Sequence, residues 1–101
     1  MCKMQYMKAR LVVATREVRD DGSIVEIIIW AVPEPVPPCA HGFKYSLLYG
    51  FSGRRLVGYD NERGKGDHRH WKETEAPYPF STLEQLLSDF ETDIANIGDG
   101  R

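Results

Sequence analysis

The run from Ile24 to Val32 carries apolar residues on both of its alternating sides, and Glu26 is its one charged residue. A strand that is apolar on both sides needs other parts of the protein packed against both of its faces. The run therefore predicts a central strand, or one covered by a helix or a second subunit. The segment from Arg19 to Ser23 precedes it and contains an Asp-Gly pair, which tolerates the positive φ of a tight hairpin turn. Before that turn, alternation from Tyr6 to Val18 predicts a first strand with one face mostly buried.

Proline ends the strand pattern after Val32. Four prolines fall within residues 33–38, and because proline donates no ladder hydrogen bond, we expect an extended crossover loop there. From Phe43 to Phe51, alternate positions are large and mostly aromatic, which predicts a third strand whose aromatic row faces the core. Ser52-Gly53 predicts a turn, and Arg54 to Asp60 predicts a fourth strand.

The C-terminal part of the chain has the pattern of an amphipathic helix. Ser81 with Glu84 three residues later predicts a capping box at its start. The helix is predicted from Thr82 to about Ile97, and Gly98 is typical of a helix terminator. The apolar residues recur at helical spacing, at Leu83, Leu86, Leu87, Phe90, Ile94 and Ile97.

These elements predict an α+β fold: a twisted antiparallel four-stranded sheet, built as two hairpins, with the C-terminal helix packed on one face. A length of 101 residues suits a single domain spanning 1–101. Edge strands in so small a sheet can pair with another chain, so a homodimer is also expected.

The composition, with 42% hydrophobic and 28% charged residues, is typical of a soluble globular protein. The apolar run ending at Val32 is too short to cross a bilayer and no export leader precedes it, so we expect a cytoplasmic protein without membrane contact. In that compartment Cys2 and Cys39 are expected to be free thiols. A net charge of −2 argues against a strongly basic nucleic-acid binder, so any contact with RNA must be local.

The segment from Tyr59 to His70 concentrates the chemistry of the chain, with the sequence YDNERGKGDHRH. His68 and His70 are two residues apart, so in an extended segment both imidazoles project from one face, about 6.5 Å apart at Cα. Such a pair can flank a phosphodiester, one imidazole accepting the ribose 2′-hydroxyl proton and the other protonating the leaving oxygen. Lys65 would neutralise charge on the phosphate oxygens, and Asp60 or Asp67 would orient an imidazole. These five residues are the predicted catalytic set.

The same segment offers groups that can bind a substrate. Arg63 and Arg69 can contact phosphate, and Asn61 is a further polar candidate. The Tyr59 hydroxyl can reach a phosphate beside Asp60. These are the predicted substrate-binding residues.

Two other interpretations use the same residues. Both imidazoles with one carboxylate would leave an open position on Zn²⁺ or Mn²⁺, as in a metal-dependent phosphodiesterase, although His-x-His alone is weak evidence. Alternatively, the segment is a charged turn that stabilises the fold or binds a partner without catalysis. The favoured interpretation uses no metal and no cofactor.

The block from Tyr59 to His70, followed by Pro77-Tyr78-Pro79-Phe80, resembles the TumE-type toxins of bacterial toxin–antitoxin systems. The segments Trp30–Pro33 and Pro35–Tyr45 fit the same pattern, so the resemblance covers most of the chain. It implies a small α+β toxin neutralised by a cognate helix-turn-helix antitoxin. Together with the histidine pair, it favours a toxin that is a small ribonuclease acting on RNA.

Overall fold

A computed structural model describes residues 8–98 as a single sheet with one helix against it. The strands are β1 (Arg10–Val18), β2 (Ile24–Ala31), β3 (Phe43–Phe51), β4 (Arg54–Glu62), β5 (Gly66–Trp71) and β6 (Thr74–Pro77). Helix α1 spans Leu83–Ile97. No helix among the described residues is both long and apolar enough to cross a membrane.

The sheet has six strands, so the prediction of four strands was wrong, although the α+β class is correct. Strand order follows chain order from β1 to β6, and every neighbouring pair is antiparallel. The four predicted strands are β1 to β4. The two additional strands, β5 and β6, lie in residues 66–77, for which no strand was predicted.

The core lies between one face of the sheet and α1. This helix face of the sheet carries Tyr45, Leu47 and Tyr49 of β3, each at most 2% exposed, as the aromatic alternation predicted. Leu86 and Phe90 of α1 pack into the same cluster and are at most 1% exposed. The register places Val57, Tyr59 and Asn61 of β4, and Asp67, Arg69 and Trp71 of β5, on this face as well.

The opposite side, the open face, is not covered by any element in residues 8–98. Its residues are identified by the same register: Ile28 and Leu48 on β2 and β3, Asp60 on β4, and His68 and His70 on β5. Ile28 and Leu48 are only half-buried. The apolar pattern of β2 therefore predicted a central strand correctly, but in the described residues only the helix face of that strand is covered.

Strand β1 ends at Val18 as predicted, but its start and its burial differ from the prediction. It begins at Arg10, and the Tyr6–Met7 part of the predicted strand lies outside the described residues. A register shift between Leu11 and Val13 places these two residues on opposite faces of the sheet. Alternation along the sequence therefore does not identify a buried face of β1. Only Val13 is half-buried, and the prediction of a mostly buried face was wrong.

The start of α1 also differs from the prediction. Thr82 is the N-cap, and its hydroxyl accepts a 3.0 Å hydrogen bond from the Gln85 backbone N–H. The capping box predicted from Ser81 and Glu84 was therefore wrong by one position. The helix still ends at Ile97, and the Gly98 N–H donates to the Ile94 carbonyl.

The proline-rich crossover between β2 and β3 reaches the turn that joins β4 to β5. The Gly64 N–H donates a 2.8 Å hydrogen bond to the Pro37 carbonyl. Gly66 has φ of 83°, and a Cβ there would lie 3.3 Å from Pro38 Cγ, so the close approach requires glycine. This contact places the end of the loop, with Cys39 and His41, over the helix face.

Candidate functional site

The two histidines of the sequence motif lie together on the open face. Both belong to β5, where His68 pairs with Asp60 and His70 pairs with Gly58 across the β4 strand. The His70 Nε2 atom is 3.7 Å from Asp60 Oδ1. The structure therefore brings three residues of the predicted catalytic set onto one surface.

Lys65 and Glu75 complete this cluster. Glu75 Oε2 is 3.2 Å from Lys65 Nζ and 3.1 Å from His68 Nδ1. The approach to Nδ1 lacks hydrogen-bond alignment and leaves that atom without a hydrogen-bond partner. His68 Nε2 lies 2.8 Å from the Lys65 carbonyl, and because a carbonyl only accepts, Nε2 carries a proton. We call these five residues the histidine cluster: Asp60, Lys65, His68, His70 and Glu75.

The Lys65–Glu75 ion pair of the histidine cluster is exposed to water. The hydrogen bond to Glu75 raises the pKa of Lys65, and the same bond lowers the pKa of Glu75. Both groups are open to water, so their attraction is weak and screened by salt. An anionic ligand can therefore replace Glu75 beside Lys65 at little cost.

Arg69 and Tyr59, predicted to bind substrate, lie on the helix face instead. The Arg69 guanidinium makes a bidentate pair with Asp93 of α1, with Nε–Oδ2 at 2.7 Å and Nη2–Oδ1 at 2.9 Å. The Tyr59 hydroxyl donates to the same carboxylate at 2.5 Å. Burial and then the bond to Asp93 raise the pKa of Tyr59, and the Asp93 bond raises that of Arg69. These contacts connect α1 to the centre of the sheet.

Asp67 also faces the helix side, where it organises a second polar cluster. Its carboxylate accepts from the Tyr45 hydroxyl at 2.6 Å, from His41 Nε2 at 2.7 Å and from Cys39 Sγ at 3.1 Å. Burial alone raises the pKa of Asp67, but the hydrogen bonds from Tyr45, Cys39 and His41 outweigh it and lower the pKa overall. Burial, then the bond to Asp67, raises the pKa of the Cys39 thiol, which keeps that thiol protonated.

Asn61 stabilises the same region through hydrogen bonds to β3. Its side chain accepts from the Tyr45 N–H at 3.0 Å and donates to the Phe43 carbonyl at 2.7 Å, and it is fully buried. It thereby supplies side-chain pairing where the ladder between β3 and β4 has ended. Arg63 stands apart from both clusters, exposed on the turn after β4.

One group of side chains on the described chain could hold a metal ion. The ligand atoms of Cys39, His41 and Asp67 lie within 4.8 Å of one another. However, His41 Nδ1 accepts a 3.2 Å hydrogen bond from the Phe43 N–H, so Nε2 carries the proton and has no lone pair for a metal. The structure thus fits a hydrogen-bond network better than a metal centre. In the described residues, His68 and His70 do not converge with a carboxylate in this way.

The sequence predicted His68, His70, Asp60 and Lys65 of the histidine cluster but not Glu75. Glu75 belongs to a charged run without any recognisable motif, and only its pairing opposite His70 brings it to the cluster. His41, on the crossover loop, reaches the motif through its hydrogen bond to Asp67. Asp93 and Tyr45 carried no signal, because acidic helix residues are usually solvated and alternating aromatics usually form the core.

The comparisons with known proteins give one finding. A family model described as Toxin TumE matches residues 6–97, which is nearly the whole chain. Searches of curated proteins and of solved structures gave no significant match.

Proposed function

Because the chain belongs to the TumE family of toxins, we propose that it is a toxin that acts as a small metal-independent ribonuclease. A toxin family implies an antitoxin partner, and we take this partner to be a helix-turn-helix protein. The observation that carries the ribonuclease proposal is the shared orientation of His68 and His70 on the open face, next to Asp60 and Lys65.

The proposed reaction is a transesterification within the RNA chain. One imidazole takes the proton of a ribose 2′-hydroxyl while the 2′ oxygen forms a bond to phosphorus. The bond from phosphorus to the 5′ oxygen breaks, and the other imidazole, protonated beforehand, gives its proton to that oxygen. The products are a 2′,3′-cyclic phosphate and a 5′-hydroxyl. No metal takes part.

Cations near the histidines would stabilise charge on the phosphate oxygens. Lys65 is half-exposed next to His68, and within residues 8–98 its ammonium is paired only with the exposed Glu75. Arg63 lies on the same turn between β4 and β5. A phosphate that displaces Glu75 gains the Lys65 ammonium as a charge-assisted hydrogen-bond donor.

The predicted site residues on the helix face take a supporting role in this proposal. Tyr59, Asn61, Asp67 and Arg69 do not face the histidines, and their hydrogen bonds join β4 and β5 to α1, β3 and the crossover loop. They would keep β5 rigid, so that the two imidazoles keep a fixed separation.

A second candidate is a toxin that blocks its target by occupancy without catalysis. Two carboxylates favour it, because Asp60 lies 3.7 Å from His70 and Glu75 lies 3.1 Å from His68. Negative charge at these distances repels a phosphodiester and attracts a basic protein surface.

The deciding experiment is RNA cleavage in the presence of EDTA by the wild type and by His68→Ala and His70→Ala, all purified identically. We expect the wild type to leave 2′,3′-cyclic phosphate ends and each variant to lose about 10²–10⁴-fold in rate. His41→Gln, which removes the third histidine, is the matched control and should retain the rate once thermal melting shows that it is folded.

Two outcomes would contradict the proposal. Activity that EDTA abolishes and Zn²⁺ or Mn²⁺ restores would make the enzyme metal-dependent. Absence of cleavage under both conditions, with toxicity retained by the histidine variants, would favour the toxin that acts by occupancy.

A further inference from the structure

A groove of about 360 Å³ lies on the open face, on the side of the sheet where β3 turns into β4. Its volume falls at the lower end of the range of about 300–1,000 Å³ for ligand pockets. We call its arginines the rim and its apolar and small residues the floor; they include Arg16, Arg54, Arg55, Ile24, Leu48, Gly50 and Phe51. The groove thus combines an apolar floor with a cationic rim.

The cations at the rim are mostly unpaired. Arg54 and Arg55 are exposed, and neither makes a side-chain hydrogen bond or an ion pair with any residue in 8–98. The one carboxylate in the lining, Glu26, lies 3.8 Å from Arg16 and balances it. The groove therefore carries an excess of two positive charges in a protein whose net charge is −2.

The groove borders the histidine cluster at Arg55. A Cβ at Gly58 would lie 2.9 Å from Arg55 Cδ and 3.5 Å from His70 Cδ2, so both side chains lie over Gly58. Arg55 lines the groove and His70 belongs to the histidine cluster. The two features are therefore neighbours on the open face, with the Arg55 stem between them.

We propose that this groove is a nucleotide subsite for single-stranded RNA, adjacent to the phosphate held at the histidine cluster. Arg54 and Arg55 contact backbone phosphates, and a base rests on the floor formed by Ile24 and Leu48. Unpaired guanidinium groups match phosphate geometry and a flat apolar floor accepts the face of any base, so recognition is by charge and stacking. This inference rests on the proposed function, because it assumes that the ligand of the open face is RNA.

The test is equilibrium binding of a fluorescent 2′-O-methyl oligoribonucleotide, which lacks the attacking hydroxyl and so separates binding from cleavage. We expect the double variant Arg54→Ala/Arg55→Ala to bind about 20-fold more weakly at 0.1 M salt. Its slope of log affinity against log salt should fall by about 1.4, corresponding to two phosphate contacts on a single strand.

The control is Lys8→Ala/Arg10→Ala, which removes the same charge from exposed positions at the start of β1. It should leave the affinity and the salt slope close to those of the wild type. Arg54→Lys/Arg55→Lys keeps the charge and should recover most of the salt slope.

Different results would overturn the subsite and the ribonuclease proposal. If the oligonucleotide binds through Arg54 and Arg55 but the wild type does not cleave RNA, the subsite stands and catalysis does not. If the wild type cleaves RNA and the double variant binds as tightly as the control, the subsite is overturned. It is also overturned if the double variant loses affinity for the antitoxin alone, since the groove then binds protein.

Discussion

Asp67 illustrates how one side chain fixes a loop to the sheet. Its carboxylate accepts hydrogen bonds from three side chains, two of which, Cys39 and His41, belong to the crossover loop. The loop has no regular hydrogen-bond ladder of its own, so these bonds and the Gly64–Pro37 hydrogen bond together determine where it lies. The ionised form of Asp67 is therefore linked to the folded position of the loop.

We predict that Asp67→Asn lowers the free energy of unfolding by about 2 kcal/mol at pH 7, because hydrogen bonds to a charged acceptor are lost. The native pKa of Asp67 is lowered, so its contribution is complete above the unfolded-state value of about 4. It is lost as the pH falls through the native pKa. Urea unfolding of both proteins between pH 3 and pH 7 measures this difference.

The appropriate control for Asp67 is Asp20→Asn, in the exposed turn after β1. It should change the unfolding free energy by less than about 0.5 kcal/mol at any pH in that range. A constant difference between Asp67→Asn and the wild type down to pH 3 would contradict the linkage.

We predict that Asp93→Asn destabilises the protein by about 2 kcal/mol, because Arg69 and Tyr59 lose their common acceptor. Breaking a fully buried ion pair costs about 3–5 kcal/mol, and the loss here is smaller because the Arg69 side chain is 37% exposed. Chemical denaturation measures it. Glu91→Gln, an exposed acid on the same helix, is the control and should be neutral within about 0.5 kcal/mol.

At the scale of elements, the sequence predicted the strands and the helix whose apolar residues recur at regular spacing. Strand β3 has the predicted bounds, and α1 was predicted because its apolar stripe recurs at helical spacing. Strand β5 escaped prediction because two of its helix-facing positions are polar: Asp67 and Arg69 are held by hydrogen bonds and ion pairs rather than by apolar contacts. A strand stabilised in this way has no alternating apolar signal.

Strand β6 escaped prediction for a different reason. Proline usually excludes a residue from a strand, yet Pro77 pairs with His68 at the end of β6. Because β6 is the last strand of the sheet, its outer side needs no ladder donor, and proline is tolerated there. This short strand matters for the site, since it carries Glu75 to the histidine cluster.

The position of the helix start gives a further prediction. Thr82→Ala should lower the free energy of unfolding by about 1 kcal/mol, because the Gln85 N–H loses its acceptor. Ser81→Ala, one residue earlier, should have little effect. Thermal or urea unfolding of the two variants measures the difference. If Ser81→Ala is the less stable variant, Ser81 is the N-cap, as the sequence predicted, and Thr82 is not.

At the scale of the whole molecule, β1 is an edge of the sheet, and no strand within residues 8–98 pairs with its outer side. Strand β1 has nine residues, and Leu11, Val12 and Val18 on it are 52%, 44% and 62% exposed. An exposed edge of this length pairs readily with another strand. The homodimer expected from the sequence would use this edge.

For that dimer we predict twice the chain mass in sedimentation equilibrium, and the monomer mass for Val12→Lys, whose charge would be buried at the new contact. Lysine on an edge strand is a known barrier to pairing. The control Ala95→Lys, on the exposed side of α1, should remain dimeric. A wild type of monomer mass at high concentration would contradict the expectation.

The order of the strands has a consequence for synthesis of the chain. Each strand pairs with its neighbour in sequence, so the sheet can form progressively as the chain emerges. Ile97 follows Pro77 by 20 residues, which takes about one to four seconds at 5–20 residues per second. During that interval the aromatic side of the sheet has no helix to cover it. On the nascent chain, the surface that carries the histidines can thus form before α1 packs on the other face of the sheet.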